Sequence, residues 1–192
     1  GQGWEDSMAS EARRVVVTGI GAASAFGVGR SALAQGLESG SDCVLPLDGL
    51  AGQLPPGKGG QLDLPRKEYR NHFDTRVLRL STMTRQTILG CIACGDLLKD
   101  AGEPTDGSLH PERGAYLGSF IMPPDYLKQF GAMKILARRP DGEAEGYVLD
   151  DTDLAAALKK ASAFDFLRAL PNMPSSHLSI QAGAQGPTLQ RL

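Results

Sequence analysis

Arg13-Arg14-Val15-Val16-Val17-Thr18-Gly19-Ile20-Gly21 is the stretch on which the fold turns. Three adjacent valines without polar alternation predict a strand buried on both faces, as in a parallel sheet covered by helices. The glycines that follow predict a tight strand-to-loop turn and close packing. Next, Gly29 to Glu38 reads as a helix, with Leu33 and Leu37 at i, i+4 spacing and Gly40 past its end. Residues Ser39 to Arg70, rich in Gly, Pro and Asp, are too long for a simple connection and predict an irregular surface excursion. The strongest helix signal runs from Thr82 to Asp100, with Ile88, Leu89, Ile92, Leu97 and Leu98 as its apolar face and Ala101-Gly102 as its stop. Gly114 to Ser119 reads as a second short buried strand. This order, β-α-excursion-α-β, is the start of a layered α/β domain.

Beyond it, Asp125–Leu136 and Thr152–Ala161 fit short helices on a surface or an interface. Ala169 to Ile180 fits another, with Asn172 near its start. Gly183 and Gly186-Pro187 then turn the chain toward a final strand that barely begins. Two strands and part of a third make an incomplete sheet whose edge invites pairing. The expectation is therefore a dimer, with itself or with a partner chain, through Ser119 to Leu170 and the final strand.

Composition narrows the function classes. The 192 residues carry a net charge of −2, which gives no electrostatic case for nucleic acid or an anionic membrane. No run of 18 apolar residues exists to span a membrane, and the N-terminus lacks a secretory pattern. The expected location is cytoplasmic. Residues 1–12 read as a disordered leader or expression remnant, with Met8 as the natural start, and 13–192 as the domain proper. Cys43, Cys91 and Cys94 are an odd set, expected as reduced thiols. Cys91-Ile92-Ala93-Cys94 is formally C-x-x-C, but it sits inside the helix pattern without a second ligand pair. Packing suits it better than zinc or redox chemistry.

Gly19-Ile20-Gly21-Ala22-Ala23-Ser24 after a strand invites comparison with the dinucleotide fingerprint G-x-G-x-x-G. Its third position is Ser24, and no second strand ends in an acid about 20 residues on, so no cofactor is expected. Asp150, Asp151 and Asp153 read as a charge cluster at a helix N-terminus rather than a metal site. His177 is expected to pack or hydrogen-bond, and His72 and His110 to lie exposed in loops.

Several of these segments resemble, in collinear order, the β-ketoacyl-acyl-carrier-protein synthases (ketosynthases) and their chain-length factors. Val15 to Gly27 resembles the family's opening strand and turn, with Ala25 where proline is common. Leu33, Gly36, Leu37 and Ser39-Gly40 resemble the next segment. Arg79-Leu80-Ser81 through Asp100-Ala101-Gly102 resembles its long helix ending in D-A-G. Arg113-Gly114 to Gly118-Ser119 resembles its R-x-G-x-x-x-G-S strand. Pro171 to Thr188, with Asn172-Met173, His177-Leu178-Ser179-Ile180 and Gly186-Pro187, resembles the run that leads into the nucleophilic cysteine.

The resemblance implies the N-terminal part of a thiolase-like layered fold in fatty-acid or polyketide assembly. Family members move an acyl chain onto a cysteine thiolate, decarboxylate a malonyl thioester and join the two, using a histidine pair and an oxyanion hole. Only Leu189 to Leu192 follow the last matched residues, so the nucleophile and both histidines would lie outside this sequence. No residue here is expected to be catalytic. The resemblance implies a non-catalytic subunit that shapes a partner ketosynthase in the manner of a chain-length factor, meeting acyl carrier protein through the complex. One alternative is a piece of an active acyltransferase of this family; a more distant one is a nucleotide-binding domain. The resemblance also implies that Ile121, Phe164 and Phe166 line the acyl tunnel.

Overall fold

The computed structural model describes residues 14–46, 57–105, 107–119, 155–156, 159, 163–168 and 170–191. Ala23–Ser24 (β1) and Gly27–Val28 (β2) form a tight antiparallel hairpin. Gly27 at φ 126° and Gly29 at φ 104° hold backbone conformations that side chains resist. Helix α1 spans Arg30–Ser39 and ends on Gly40 in the left-handed conformation, as the glycine predicts. Val44–Pro46 (β3) pairs antiparallel with Lys58–Gly60 (β4), so the excursion contains a ribbon. A 3-10 turn over Arg66–Asn71 and another over Leu80–Thr82 lead into helix α2, Arg85–Asp100. After β5 (Ala115–Gly118) come α3 (Ala163–Arg168), α4 (Met173–Gln181) and β6 (Thr188–Arg191).

Helix α2 organises the core. It starts three residues later than expected because Thr84 caps it: the Thr87 N–H donates to Thr84 Oγ1 at 3.2 Å. Its buried stripe is Thr87, Cys91, Ile92, Gly95 and Leu98. Of the expected face, Ile92 and Leu98 are buried and Ile88 is half-buried and packed against the core; Leu89 is half-buried, and the expectation is corrected at Leu97, which is exposed. Small residues explain the choice, because Cys91 and Gly95 let neighbouring backbone approach where leucines would hold it off. Tyr69, Phe73, Leu78 and Met83 complete the cluster, with Leu178 of α4 packed against it. Arg85 ties the excursion to the head of α2, donating to Tyr69 Oη at 2.9 Å and to the Leu62 carbonyl at 2.6 Å.

Three expectations are corrected here. Residues 14–22 form no strand, and Val15, Val16 and Val17 are 92%, 57% and 80% exposed. A doubly buried strand needs a hydrogen-bonded neighbour on each side, and among the described residues none pairs with this stretch. The second strand is also not buried: Tyr116 of β5 and Leu189 of β6 face outward, exposed. Among the described residues the parallel component is the pair β5–β6, in register from Ala115 opposite Thr188 to Gly118 opposite Arg191, with one isolated parallel bridge between His110 and Ala184. The final strand is four residues long rather than barely begun. The short helix at Asp125–Leu136 lies outside the described residues, as do most of Thr152–Ala161 and Asp150, Asp151 and Asp153.

Candidate functional site

The glycine turn is pressed onto α2. A Cβ on Gly19 would lie 2.7 Å from the Leu97 carbonyl oxygen, and one on Gly21 would overlap the Ala93 carbonyl. The Ile20 N–H donates to Asp100 Oδ2 at 2.9 Å and the Ala22 N–H to Asp96 Oδ2 at 3.3 Å. A phosphate cradle needs such amides turned toward the ligand and no fixed anion beside them. Here protein carboxylates already accept from them. Gly19 and Gly21 serve close approach, and Ser24 serves its own hairpin, its Oγ accepting from the Phe26 N–H at 3.2 Å.

The thiols and imidazoles are dispersed. Cys91 is fully buried, and desolvation, then the neighbouring Cys94, pushes its thiol up to about 12. Desolvation likewise raises Cys94 to about 11, against the opposing charge of Arg113. At neutral pH both are thiols, which are poor nucleophiles and poor metal ligands. Cys43 is half-buried beside β3. His177 is buried in α4, Nδ1 at 2.7 Å from the Met173 carbonyl and Nε2 at 3.2 Å from Thr82 Oγ1, which is the packing role expected. His72 and His110 are half-buried, not exposed: Nδ1 of His72 and Nε2 of His110 are shielded from water without a partner. None of the three hydrogen-bonds a cysteine among the described residues. No group of three metal-ligating side chains occurs there either.

Of the expected tunnel residues, Ile121 lies outside the described residues. Phe164 and Phe166 both sit on α3, where the Phe164 side chain is exposed. Arg168 Nε ties α3 to the turn before α2 through the Ser81 carbonyl at 2.7 Å. A residue that sequence reasoning passed over is Gln181. Its Nε2 donates to the His72 carbonyl at 3.0 Å and to the Cys91 carbonyl at 2.9 Å, joining three elements. No local pattern marks it, because both acceptors are backbone atoms far away in sequence.

The family model for the N-terminal domain of β-ketoacyl synthases matches residues 12–190. The chain belongs to the β-ketoacyl synthase family. Among solved structures, the ishigamide ketosynthase/chain length factor superposes with a TM-score of 0.66 at 17% identity, over 93% of this chain and 39% of that one. A β-ketoacyl synthase from Burkholderia phymatum STM815 gives 0.54 at 19% identity, over 92% of this chain and 38% of that one. The chain thus spans about two fifths of the length of these ketosynthases. No curated protein matches it at a comparable level.

The ketosynthase motifs do structural work in this domain. In the D-A-G end of α2, Asp100 holds the glycine turn and Gly102, at φ 68°, stops the helix. Arg113, from the R-x-G motif, donates to the Ala182 carbonyl at 2.6 Å and pairs with Glu103 at 2.5 Å. It thereby satisfies a carbonyl just past α4 and fixes β5 to it. The Gly186 N–H donates to the Arg113 carbonyl at 2.9 Å, and the Ala115 N–H to the Pro187 carbonyl at 3.0 Å, which sets the register of β6.

Proposed function

We propose that this ketosynthase domain serves fatty-acid or polyketide assembly as a non-catalytic subunit, acting on a partner ketosynthase in the manner of a chain-length factor. The observation that carries the reading is the state of its thiols. The two cysteines on α2, Cys91 buried and Cys94 half-buried, are held protonated by desolvation, and no imidazole hydrogen-bonds either among the described residues. The fold shared with a ketosynthase/chain length factor supports it. The apolar side chains of Val15, Val17, Tyr116 and Leu189, all exposed, support association with a second chain. Acyl carrier protein would be met through that complex, in the cytoplasm.

A second reading is that these residues belong to an active β-ketoacyl synthase that performs decarboxylative condensation of acyl and malonyl thioesters. The limited share of the solved ketosynthases that they span favours it.

Intact-mass analysis after incubation with an activated acyl donor separates the two for the chain as given. The expected result is no stable adduct. Stoichiometric acylation abolished by substituting Cys43, Cys91 or Cys94 would refute the non-catalytic reading.

The tunnel role of Ile121, Phe164 and Phe166 belongs to the same proposal and rests on the resemblance. Phe164→Ala or Phe166→Ala, in complex with the partner, should lengthen or shorten the product chain. Unchanged product length with intact assembly would leave them as packing residues.

A further inference from the structure

A cavity of about 750 Å³ opens between the 70–78 segment, the last turn of α2 and the end of α4. Its size is that of a small-molecule site. Three cations line it, Arg70, Arg76 and Lys99, against one carboxylate, Asp74. Arg76 is committed to Asp74, with contacts of 3.1 and 2.8 Å. Arg70 makes no ion pair among the described residues, and Lys99 spends one donor on the Asn71 carbonyl at 2.5 Å. Beside them stands His72, whose Nδ1 is shielded and unpartnered. The lining also includes the apolar Phe73, Val77, Leu78 and Ile180, of which Val77 and Ile180 are exposed.

Two helix C-termini approach this cavity, and their carbonyl ends would disfavour an anion. Both are capped. The Leu97 and Leu98 carbonyls accept from the Ala101 and Glu103 N–H groups, and those of Leu178 and Ser179 from Ala182 and Ala184. At His72 the charge of Lys99 is opposed by Asp96 and Glu68, while among the described lining residues Arg70, Arg76 and Lys99 outnumber Asp74.

We propose that this cavity binds a small amphiphilic anion, its phosphate or carboxylate head held by Arg70 and Lys99 and its apolar body laid on Val77 and Ile180. The inference stands apart from the ketosynthase reading and does not depend on it.

The test is calorimetry on the full chain with phenyl phosphate, inorganic phosphate and benzoate as probes. Phenyl phosphate should bind saturably, one per chain, and at least about fivefold more tightly than inorganic phosphate, because only it uses the apolar lining. Lys99→Gln and Arg70→Gln, both at exposed positions, should each weaken it by about fivefold or more. Arg66→Gln, a cation on the same turn that does not line the cavity, should leave it unchanged. Benzoate binding as well as phenyl phosphate would assign a carboxylate head, and weaker binding a phosphate head. Absence of saturable binding below about 10 mM, or an equal loss in Arg66→Gln, would overturn the proposal.

Discussion

Gly95→Val should abolish folding of this domain, and Gly95→Ala should already lower its stability. Gly95 lies mid-helix, where glycine is about 1 kcal/mol worse than alanine on propensity alone. Its retention is explained by what a Cβ would meet: the His72 carbonyl oxygen in direct overlap, and Gln181 Nε2 at 3.1 Å. Backbone on one side and a doubly bonded amide on the other leave little room to yield. Overpacking of this kind costs about 1–3 kcal/mol, and displacing Gln181 would strand two buried carbonyls at about 1–3 kcal/mol each. Together these approach the whole margin of a typical domain, about 5–15 kcal/mol. Gly90, five residues earlier on the same helix, supplies the control. A Cβ there meets only the Leu178 methyls at 3.9 Å, so Gly90→Ala should be neutral or stabilise by up to about 1 kcal/mol. Urea midpoints for the two alanine variants settle the matter. A gain for Gly95→Ala equal to that for Gly90→Ala would disprove the close-approach argument.

The second large effect is alkaline unfolding driven by α2. Cys91 and Cys94 titrate near 9.0 when unfolded but are pushed up to about 12 and about 11 in the fold, desolvation being the main cause for each. Below pH 9 both states hold their protons and stability does not depend on these thiols. As pH rises from 9, the unfolded chain releases protons that the folded chain retains. Stability then falls by about 1.4 kcal/mol per pH unit for each thiol. The fall ends near pH 11 for Cys94 and pH 12 for Cys91. Urea midpoints at pH 8, 9.5 and 10.5 should therefore drop steeply above pH 9. The drop should be much shallower in Cys91→Ala/Cys94→Ala, which retains the lysines and tyrosines that also titrate there. Parallel curves for the two proteins would place the alkaline transition elsewhere.

What could be read from the sequence was what is locally encoded. Gly40 and Gly102 mark helix ends because the left-handed backbone there suits glycine. The close packing of Gly19 and Gly21, and the satisfied His177, follow from residue type and local context. The ketosynthase family was legible because its motifs recur in order, as the match over residues 12–190 establishes. The status of Val15 to Val17 was not legible, since burial of a strand depends on partners that its own residues do not specify. Nor could the stripe of α2 be chosen from hydrophobicity, because Cys91 and Gly95 outrank Leu97 through size. The cavity beside His72 is assembled from residues 70–78, Lys99, Thr105, Gly107, Ile180 and Gln181, so no window of sequence contains it.

The Gln181 clasp has a consequence for synthesis of the chain. Its two acceptors lie 109 and 90 positions upstream. At the usual pace of translation, about 5–20 residues per second, the 72–91 region leaves the ribosome on the order of 5–20 s before the amide that closes it. During that interval the apolar stripe of α2 has no α4 to cover it. Such delayed, non-local closure slows folding and favours aggregation of nascent chains. Lower growth temperature or added chaperone should therefore raise the soluble yield.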